Sequence, residues 1–293
     1  MMVNSEKSKV LEVWAKKLKM PDLCMKTALK YQLYEEEYVE YKTLFWNNIE
    51  KFFLKVNSKA DSEFLFLAIY LRISYEFQYE DGTELELVKC GFYLSACQDL
   101  VIWAEDAYRR HGYYGMSDGH YDFVGRLLNT SIVRLGRLEF EKWKLSQQVE
   151  IAGKIFMKDS PVINVHIPAS GPLCYEDCEV SYQLASTFFS DYCEKETTVF
   201  VCESWLLCPV LQELLPEDSH INRFRKDYKV FRTLDDRQLE ERVFGGEILD
   251  NPEMYSKVTS LQRLVRERLL QGEKLMSAEG IFVLLNRQPW LLR

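Results

Sequence analysis

The sequence has 293 residues, of which 47% are hydrophobic and 28% are charged, and this balance is typical of globular proteins with room for two ordinary domains. The formal net charge of -8 argues against nucleic acid or an anionic membrane as a general partner. The opening segment MMVNSEKSKVLEVW is charged, unlike an apolar leader, and no apolar stretch is long enough to span a bilayer. We therefore predict a soluble, cytoplasmic protein with no nucleic-acid or membrane partner.

The first 110 residues show helical periodicity in their apolar side chains. Glycines in the segment HGYYGMSDGHYD, from His111 to Asp122, then mark a junction. We predict a helical N-terminal domain over residues 1–120 and a second domain over residues 121–293. The predicted helical stretches of the first domain are Val10 to Leu18, Cys24 to Phe53, Asp61 to Tyr75 and Thr83 to Arg110.

Alternating and β-branched patterns dominate the rest of the chain and alternate with helical segments. The first three strands have short connections, which favours an antiparallel meander, and Gly136 indicates a bulge or a close backbone approach. The whole chain is thus predicted to be α+β. Strands are predicted at 131–143, 149–157, 162–167, 198–205, 228–233 and 280–285, and helices at 175–189, 209–215, 220–227 and 259–271.

Eight cysteines are present without the dense spacing of a disulfide scaffold, so most are predicted to be reduced thiols. Cys174 and Cys178 share a helix face, and His166 lies nearby in the sequence. No second pair of ligands completes a zinc set. The sequence therefore predicts no bound metal.

The segment PVINVHIPASGPLCYEDC, from Pro161 to Cys178, combines a strand, a tight turn and an acidic helix start. The start of a helix presents unpaired backbone N–H groups, which can hold an anion such as a pyrophosphate. An ordinary strand-to-helix connection that binds nothing has the same pattern.

Five short motifs follow one another in the second part of the chain: RLGRLEF (134–140), INVHIPASGPL (163–173), SWLLCP (204–209), NRF (222–224) and TSLQR (259–263). With the order of strands and helices, they resemble a bacterial two-domain family. That family joins an N-acyltransferase N-terminal helical domain to a GNAT-like mixed α/β C-terminal domain. The resemblance implies transfer of an acyl group from acetyl-coenzyme A, or another acyl-coenzyme A, to a small-molecule or peptide amine.

The resemblance also implies that the cofactor lies between two splayed strands and that its pyrophosphate meets a loop after the first of them. The aligned loop contains Ala169, Ser170, Gly171 and Leu173 as candidate cofactor-binding residues. Only Gly171 fits the general GNAT pattern, since prolines 168 and 172 depart from it and the second removes one N–H. Arg223 and Arg225 are candidates for the coenzyme phosphates, although a solvated helix face would explain them equally well.

Direct acyl transfer requires a base for the amine and an acid for the leaving thiolate. Glu203, a carboxylate in the apolar strand VFVCESW, is the first candidate base because partial burial would raise its pKa. His166 is the second, as a base or hydrogen-bond donor, and Tyr228 is the candidate acid, since GNAT proteins often use a tyrosine in this region. Solvated or core positions remain the alternative for each.

Two classes of function therefore remain open: an acyltransferase, and a GNAT-like ligand-binding or interaction module without coenzyme chemistry. The motif arginines Arg134 and Arg137 have two interpretations as well, because they suit either ion pairs with acidic groups or an anion site. The sequence does not indicate the acceptor, the acyl chain length or the oligomeric state.

Overall fold

The computed structural model describes residues 2–31, 33–116, 119–151, 153–194, 196–246 and 248–285, with side chains from residue 7 onward. The chain divides into two compact units. The first consists of Met1–Arg134 with Pro168–Ser170, and the second of Leu135–Ile167 with Gly171–Arg293. Residues 121–134, which the sequence pattern assigned to the second domain, thus lie in the first unit.

The first unit is helical, as predicted. Short polar breaks separate its helices: the Asn48 side chain, for example, accepts from the backbone N–H of Lys51 and so caps a helix start. A π-helical turn, Phe77–Asp81, follows the fifth helix. The helices are α1 (Met2–Lys17), α2 (Asp22–Lys30), α3 (Glu35–Asn47), α4 (Ile49–Asn57), α5 (Ser62–Glu76), α6 (Glu86–Lys89), α7 (Phe92–His111) and α8 (His120–Leu128).

Three predicted segments of this unit differ from the structure. The stretch predicted from Cys24 to Phe53 is divided among α2, α3 and α4. The single helix expected from Thr83 to Arg110 is divided into α6 and α7, because Gly91 between them has a φ of 76°, outside the helical region. The predicted junction from His111 to Asp122 includes residues 117 and 118, which lie outside the described residues, and α8 begins within it.

Aromatic side chains form much of the core of the helical unit, and their polar atoms find partners. The indole N–H of Trp14 donates to the Ser74 hydroxyl at 2.9 Å, and the Tyr93 hydroxyl donates to the Leu128 carbonyl at 3.0 Å. This core explains the high aromatic content of the sequence. Its fully buried rings are Trp14, Tyr38, Tyr41, Phe45, Phe52, Phe66 and Tyr70.

One carboxylate of the helical unit is almost enclosed. Glu76 is 8% exposed and accepts hydrogen bonds from the Tyr38 hydroxyl at 2.7 Å, Lys42 Nζ at 2.7 Å and Arg72 Nε at 2.9 Å. Burial alone would raise the pKa of Glu76, but the three donors outweigh it and leave the pKa below its ordinary value. Its charge is therefore a fixed part of the helical core.

The second unit is built on a mixed sheet with the strand order β1-β2-β5-β6-β8-β7. The β2–β5, β6–β8 and β7–β8 pairs are antiparallel, and β5–β6 is parallel. A separate hairpin consists of β3 and β4. The strands are β1 (Ile132–Leu135), β2 (Leu138–Lys144), β3 (Val149–Ile151), β4 (Lys154–Phe156), β5 (Pro161–His166), β6 (Thr197–Ser204), β7 (Lys229–Leu234) and β8 (Ser277–Leu285).

Helices connect the later strands. Thr259 caps the last of these helices in a capping box with Gln262. This helix agrees with the one predicted at 259–271. Short 3-10 turns occur at Trp205–Leu207 and Pro252–Met254. The helices are α9 (Tyr175–Phe188), α10 (Leu211–Leu214), α11 (His220–Asp227), α12 (Gln238–Phe244) and α13 (Ser260–Leu270).

The predicted meander of three strands is wrong in two places, and a glycine explains each. Gly136 has a φ of 75° and turns the chain between β1 and β2, where an added Cβ would meet Ser181 Oγ at 2.8 Å. The predicted close approach at Gly136 is therefore confirmed. Gly153, with a φ of 77°, turns the expected strand 149–157 into the separate hairpin, so β2 pairs directly with β5.

The two faces of this sheet have different partners. One face, here called the helix face, packs an aromatic cluster that includes Tyr182 of α9. The other, the hairpin face, packs Val162, Val199, Val201 and Ile281 against residues of β3 and β4. The aromatic cluster of the helix face comprises Phe140, Tyr182, Phe200, Tyr228 and Phe282.

Helices followed by a mixed sheet confirm the α+β prediction. In the described part of the chain, no helix combines the length and apolar character needed to cross a bilayer.

Candidate active site

The parallel strands β5 and β6 separate partway along their length. Their register consists of Ile163 opposite Phe200 and Asn164 opposite Val201, although β5 continues to His166 and β6 to Ser204. Pairing between the two strands ends at Val201, and the unpaired ends of β5 and β6 are here called the opening. An extended molecule inserted there would meet backbone N–H and C=O groups along both edges.

His166 and Glu203, two of the predicted site residues, lie on either side of this opening. Each follows the last paired position of its strand by two residues, so both side chains belong to the hairpin face. The two residues that the sequence proposed as bases thus share one face of adjacent strands. The structure places them at the level where the two strands no longer pair.

His166 is held by a carboxylate of the neighbouring strand. Its Nε2 lies 2.8 Å from Glu141 Oε1, and the Asn164 amide donates to the same oxygen at 3.0 Å. Glu141 lies opposite Asn164 in the β2–β5 register, which places these side chains on one face. A carboxylate in this position fixes the orientation of the imidazole.

Glu203 lies beside a second carboxylate, Glu279, which is its register partner on β8. Glu279 is 5% exposed, pairs with Arg232 Nη2 at 2.7 Å, and accepts from the Ser146 hydroxyl. The same Arg232 nitrogen is 3.7 Å from Glu203, whose side chain is 52% exposed. Partial burial and then the charge of Glu279 raise the pKa of Glu203. Glu203 is thus a carboxylate with open access and a raised pKa, as a general base requires.

Tyr228, the predicted acid, lies at the end of α11 on the helix face. It is 6% exposed, its hydroxyl is 2.9 Å from that of Tyr182, and its ring packs against Phe282. Burial raises the pKa of Tyr228 well above its ordinary value, so the phenol stays protonated. The structure therefore places Tyr228 on the face opposite to His166 and Glu203.

The loop after β5 contains the predicted pyrophosphate residues. Ala169 is exposed, and the Ser170 hydroxyl accepts from Arg134 Nη2 at 2.5 Å. Arg134 also forms a buried ion pair with Asp99 at 2.6 Å. The structure therefore contains an ion pair between Arg134 and an acidic group, which is one of the two interpretations of Arg134.

The second half of the loop leads into α9. Gly171 is exposed with a φ of 97°, a conformation that favours glycine, and Leu173 is half-buried. Arg137 donates from Nη2 to the Gly171 carbonyl at 3.1 Å and from Nε to the Pro172 carbonyl at 3.3 Å. Arg137, just before strand β2, thus binds the carbonyl groups of the loop.

Arg223, a residue of α11, reaches the start of α9 with its side chain. Its guanidinium pairs with the Glu176 carboxylate and stacks on the Tyr175 ring, 4.4 Å from the ring centroid. Hydrogen bonds from its own backbone N–H, from Arg223 and from the Cys174 thiol lower the pKa of Glu176 to about 2. An anion, in the form of this carboxylate, therefore already occupies the helix start.

Cys174, Glu176 and His220 form a group whose donor atoms lie within 4.8 Å of one another, a set of residue types that can ligate a metal ion. In this structure these atoms bind each other and the helix start. His220 Nδ1 accepts from the backbone N–H of Tyr175 at 3.1 Å, and the Cys174 thiol donates to Glu176 at 3.3 Å. The group acts here as a cap on α9.

Arg225 lies on a different side of α11 from Arg223. Two residues correspond to about 200° around a helix axis, so the two guanidinium groups point away from each other. Arg225 lines a cavity of about 670 Å³ together with Asn222 and Tyr228. The structure therefore does not bring Arg225 together with the other predicted cofactor residues.

Four residues of this site were not predicted from the sequence: Glu141, Glu279, Arg232 and Ser146. Glu279 was overlooked because the last strand was predicted to begin at Gly280, whereas β8 begins at Ser277. A charged residue just before the apolar run GIFVLL was the signal that could have identified it. The other three became visible only through strand pairing.

Comparisons with known proteins identify the family and the fold. The family model described as the GNAT-like C-terminal domain matches residues 132–282, more than half of the chain. No curated protein matched the sequence.

Solved structures with the same fold are acyltransferases. One, in complex with decanoyl-CoA and teicoplanin, is 18% identical over 92% of this chain and 86% of its own, with a TM-score of 0.68. A second, with CoA and 10C-teicoplanin, is 17% identical over 92% and 85%, also at 0.68. A third, with decanoyl-CoA, is 17% identical over 91% and 85%, at 0.66. The likeness covers both units and confirms the GNAT-like fold that the motifs indicated.

Proposed function

The chain belongs to the GNAT-like C-terminal domain family, and from this membership we propose that it is an acyl-coenzyme A-dependent acyltransferase. The observation that carries the proposal is the end of pairing between β5 and β6, with His166 and Glu203 on the same face just beyond it. A thioester arm in the opening would present its carbonyl carbon to both side chains. Similar structures were solved in complex with decanoyl-CoA and with CoA, which supports the same assignment.

In the proposed reaction an acceptor amine attacks the thioester carbonyl. A C–N bond forms, the C–S bond breaks, and coenzyme A leaves as its thiolate. Glu203 takes the proton from the amine, because it is the accessible carboxylate with a raised pKa. The His166 imidazole, oriented by Glu141, acts as a hydrogen-bond donor at the same opening.

The proposed acid for the thiolate is Tyr228. Because Tyr228 lies on the helix face, the thiolate would have to reach it from that side of the opening. The Tyr228 hydroxyl is protonated. In the proposed mechanism the neighbouring Tyr182 hydroxyl passes a proton back to it after the transfer. The phosphates of the coenzyme are proposed to lie along Ala169, Ser170, Gly171 and Leu173, near Arg223 at the start of α9. This order follows the chain from β5 through its loop into α9.

The acyl chain and the acceptor are the finer parts of the proposal. The sequence pointed to acetyl-coenzyme A, whereas two similar acyltransferases were solved with decanoyl-CoA, so we propose a donor range that includes medium chains. The acceptor is proposed to be an amine on a small molecule or peptide. A similar structure contains teicoplanin, which supports a peptide acceptor. We place the reaction in the cytoplasm, where the eight free cysteines suit a reducing compartment.

The first test is calorimetric titration of the whole chain with acetyl-, octanoyl- and decanoyl-coenzyme A. The Gly171→Glu variant adds a carboxylate to the loop, and we expect it to abolish saturable binding. Gly153→Glu is the matched control, because Gly153 also has a positive φ and open space around it but lies in the hairpin turn. We expect the control to bind as the parent does.

Absence of saturable binding with all three donors, by protein that is folded, would overturn the proposed function. The alternative, a GNAT-like ligand-binding or interaction module without coenzyme chemistry, would then stand. Where binding is seen, release of coenzyme A in the presence of amine acceptors is best followed by mass spectrometry. Thiol reagents would also react with the protein's own cysteines.

A further inference from the structure

The starts of α9 and α11 bring together a cysteine, a glutamate and a histidine. Cys174 and Glu176 belong to the start of α9, and His220 is the first residue of α11. Among the residues that the structure describes, this is the one group of three such side chains whose ligand atoms lie within 4.8 Å of one another. The sequence had paired Cys174 with Cys178 and His166, but Cys178 is fully buried. The partners of Cys174 are thus different residues, which we call, with it, the Cys-Glu-His group.

The ligand atoms of this group are spaced almost as in a tetrahedral zinc site. Cys174 Sγ lies 3.3 Å from Glu176 Oε2, and His220 Nδ1 lies 3.8 Å from the same oxygen. Zinc bonds of about 2.3 Å to sulfur and about 2.0–2.1 Å to nitrogen or oxygen place tetrahedral ligand atoms roughly 3.3–3.6 Å apart. Small side-chain rotations therefore bring all three atoms to bonding distance of one ion.

Each ligand atom is also close to the protonation state that a metal requires. His220 Nδ1 accepts from the Tyr175 backbone N–H at 3.1 Å, so its lone pair is free of a proton and points at the helix start. The Cys174 thiol donates to Glu176, so its proton lies between two of the ligand atoms. Coordination breaks the S–H bond, forms a sulfur–metal bond and releases the proton to solvent.

Contacts around the group hold the two helices together. Arg223 of α11 pairs with Glu176 Oε1, whereas Oε2 is the oxygen that faces the other two ligand atoms. The Tyr175 hydroxyl of α9 donates to Asp227 Oδ1 of α11 at 2.9 Å. Carboxylates that ligate metals are normally oriented by such outer hydrogen bonds. The ligands are therefore positioned by contacts that metal binding leaves in place.

We propose that the Cys-Glu-His group binds a divalent metal ion of the zinc class, with water as the fourth ligand. Thiolate and imidazole ligands favour zinc, whereas magnesium and calcium prefer sites made of oxygen atoms. The ion takes the place of the thiol proton and of the Tyr175 N–H as the partner of these atoms. It braces α9 against α11, the helices that carry or precede the hydrogen-bonded Tyr182 and Tyr228. The proposal does not depend on acyl transfer or on coenzyme binding.

The experiment is titration of the untagged whole chain with cobalt(II), in the absence of coenzyme A, whose thiol would itself bind metal. We expect one equivalent to produce the visible absorption of a tetrahedral site and a near-ultraviolet band from charge transfer between thiolate and cobalt. Zinc should then displace cobalt and bleach both bands, because Zn²⁺ suits tetrahedral sites with thiolate and imidazole ligands.

Cys174→Ser should abolish the charge-transfer band and weaken zinc binding at least about 100-fold, because loss of an outer partner alone costs about 10–100-fold. Glu176→Gln and His220→Gln should each weaken zinc binding at least about tenfold. Cys90→Ser is the matched control. Cys90 is exposed with Glu86 Oε2 at 3.9 Å, but it belongs to no group of three ligands in the described part of the chain. We expect this control to bind as the parent does.

Thermal denaturation gives a second measurement that does not use the spectrum. Saturating zinc should raise the Tm of the parent by at least about 2 °C and leave that of Cys174→Ser unchanged, because only an ion that binds the folded protein stabilises it.

No cobalt or zinc binding by folded protein would overturn the proposal. A charge-transfer band that survives in Cys174→Ser, or an equal loss of binding in Cys90→Ser, would overturn it as well, because the metal would then bind other cysteines. Since the titration contains no acyl donor, failure here leaves the proposed acyltransferase function untouched. Failure of coenzyme binding likewise leaves the metal site untouched.

Discussion

Glu76 of the helical unit and Glu203 of the sheet unit are both carboxylates beside an arginine, yet their surroundings are opposite. Glu76 is enclosed and accepts hydrogen bonds from a tyrosine, a lysine and an arginine, which lower its pKa. Glu203 is half-exposed and faces Glu279, which shares the arginine with it. Partial burial, and then the charge of Glu279, raise the pKa of Glu203. Hydrogen-bond donors therefore keep a buried carboxylate charged, and its role is structural. A neighbouring carboxylate beside an accessible one instead helps to raise its pKa, which suits proton transfer.

The largest expected effect is on stability. Glu76→Gln removes the charge that Lys42 and Arg72 face, and we expect the free energy of unfolding to fall by about 3–5 kcal/mol, as for other broken buried pairs. Urea denaturation followed by circular dichroism measures this. Glu36→Gln, at an exposed position of α3, is the control and should change stability by less than about 0.5 kcal/mol. A loss below about 1 kcal/mol for Glu76→Gln would show that the enclosed charge is dispensable.

The counterpart in the sheet unit is an effect on rate. Glu203→Gln should lower kcat at least about 100-fold, the usual contribution of a general base, while stability changes by less than about 0.5 kcal/mol. Steady-state kinetics with the best acyl donor and a saturating amine measure the rate. Glu150→Gln, exposed on β3, is the matched control and should keep the parent rate. A Glu203 variant with the parent kcat would remove Glu203 from the proposed mechanism.

A smaller effect is expected from Glu141, which acts through His166. Glu141→Gln should lower kcat about tenfold, because the imidazole loses its orienting carboxylate, with an unchanged KM for the acyl donor. In a His166→Gln background the same substitution should have no further effect, since the group that it positions is gone. Additive losses in the double variant would mean that Glu141 acts independently.

The smallest effect is a shift in pH dependence. Glu203 must be deprotonated to act as a base, so activity falls as the pH drops through its raised pKa. Glu279→Gln removes a negative neighbour, lowers the pKa of Glu203, and should move the acid limb of kcat/KM to lower pH by less than about one unit. Arg232→Gln should move it to higher pH. Movement of both variants in the same direction would contradict the proposed electrostatic coupling.

The sequence predicted the fold well where side-chain periodicity was decisive. Helices in the first part, the strand and helix around Pro161 to Phe188, and the late helix at Ser260–Leu270 agree with the structure. Breaks were less predictable, because Gly91, Gly136 and Gly153 act through positive φ angles that periodicity does not reveal. Local pattern therefore located the elements better than their ends.

The candidate site was predictable only in part, for a related reason. His166 and Glu203 were conspicuous as polar residues in apolar strands, and parallel pairing of β5 with β6 brings them to one opening. Their partners Glu141 and Glu279 come from strands distant in sequence, and strand register alone determines which residues meet. Arg225 was grouped with Arg223 by proximity in sequence, although helical geometry directs the two to different sides.

The Glu176 carboxylate at the start of α9 has a consequence for any anion that approaches there. Because the carboxylate already accepts from its own N–H and pairs with Arg223, an incoming phosphate exchanges with it instead of filling an empty place. The helix start therefore behaves as an ion exchanger with a tethered counterion. Whether an anion binds there depends on its affinity for the helix start relative to that of the Glu176 carboxylate. A singly charged anion is therefore a poor competitor, and a doubly charged anion is a strong competitor.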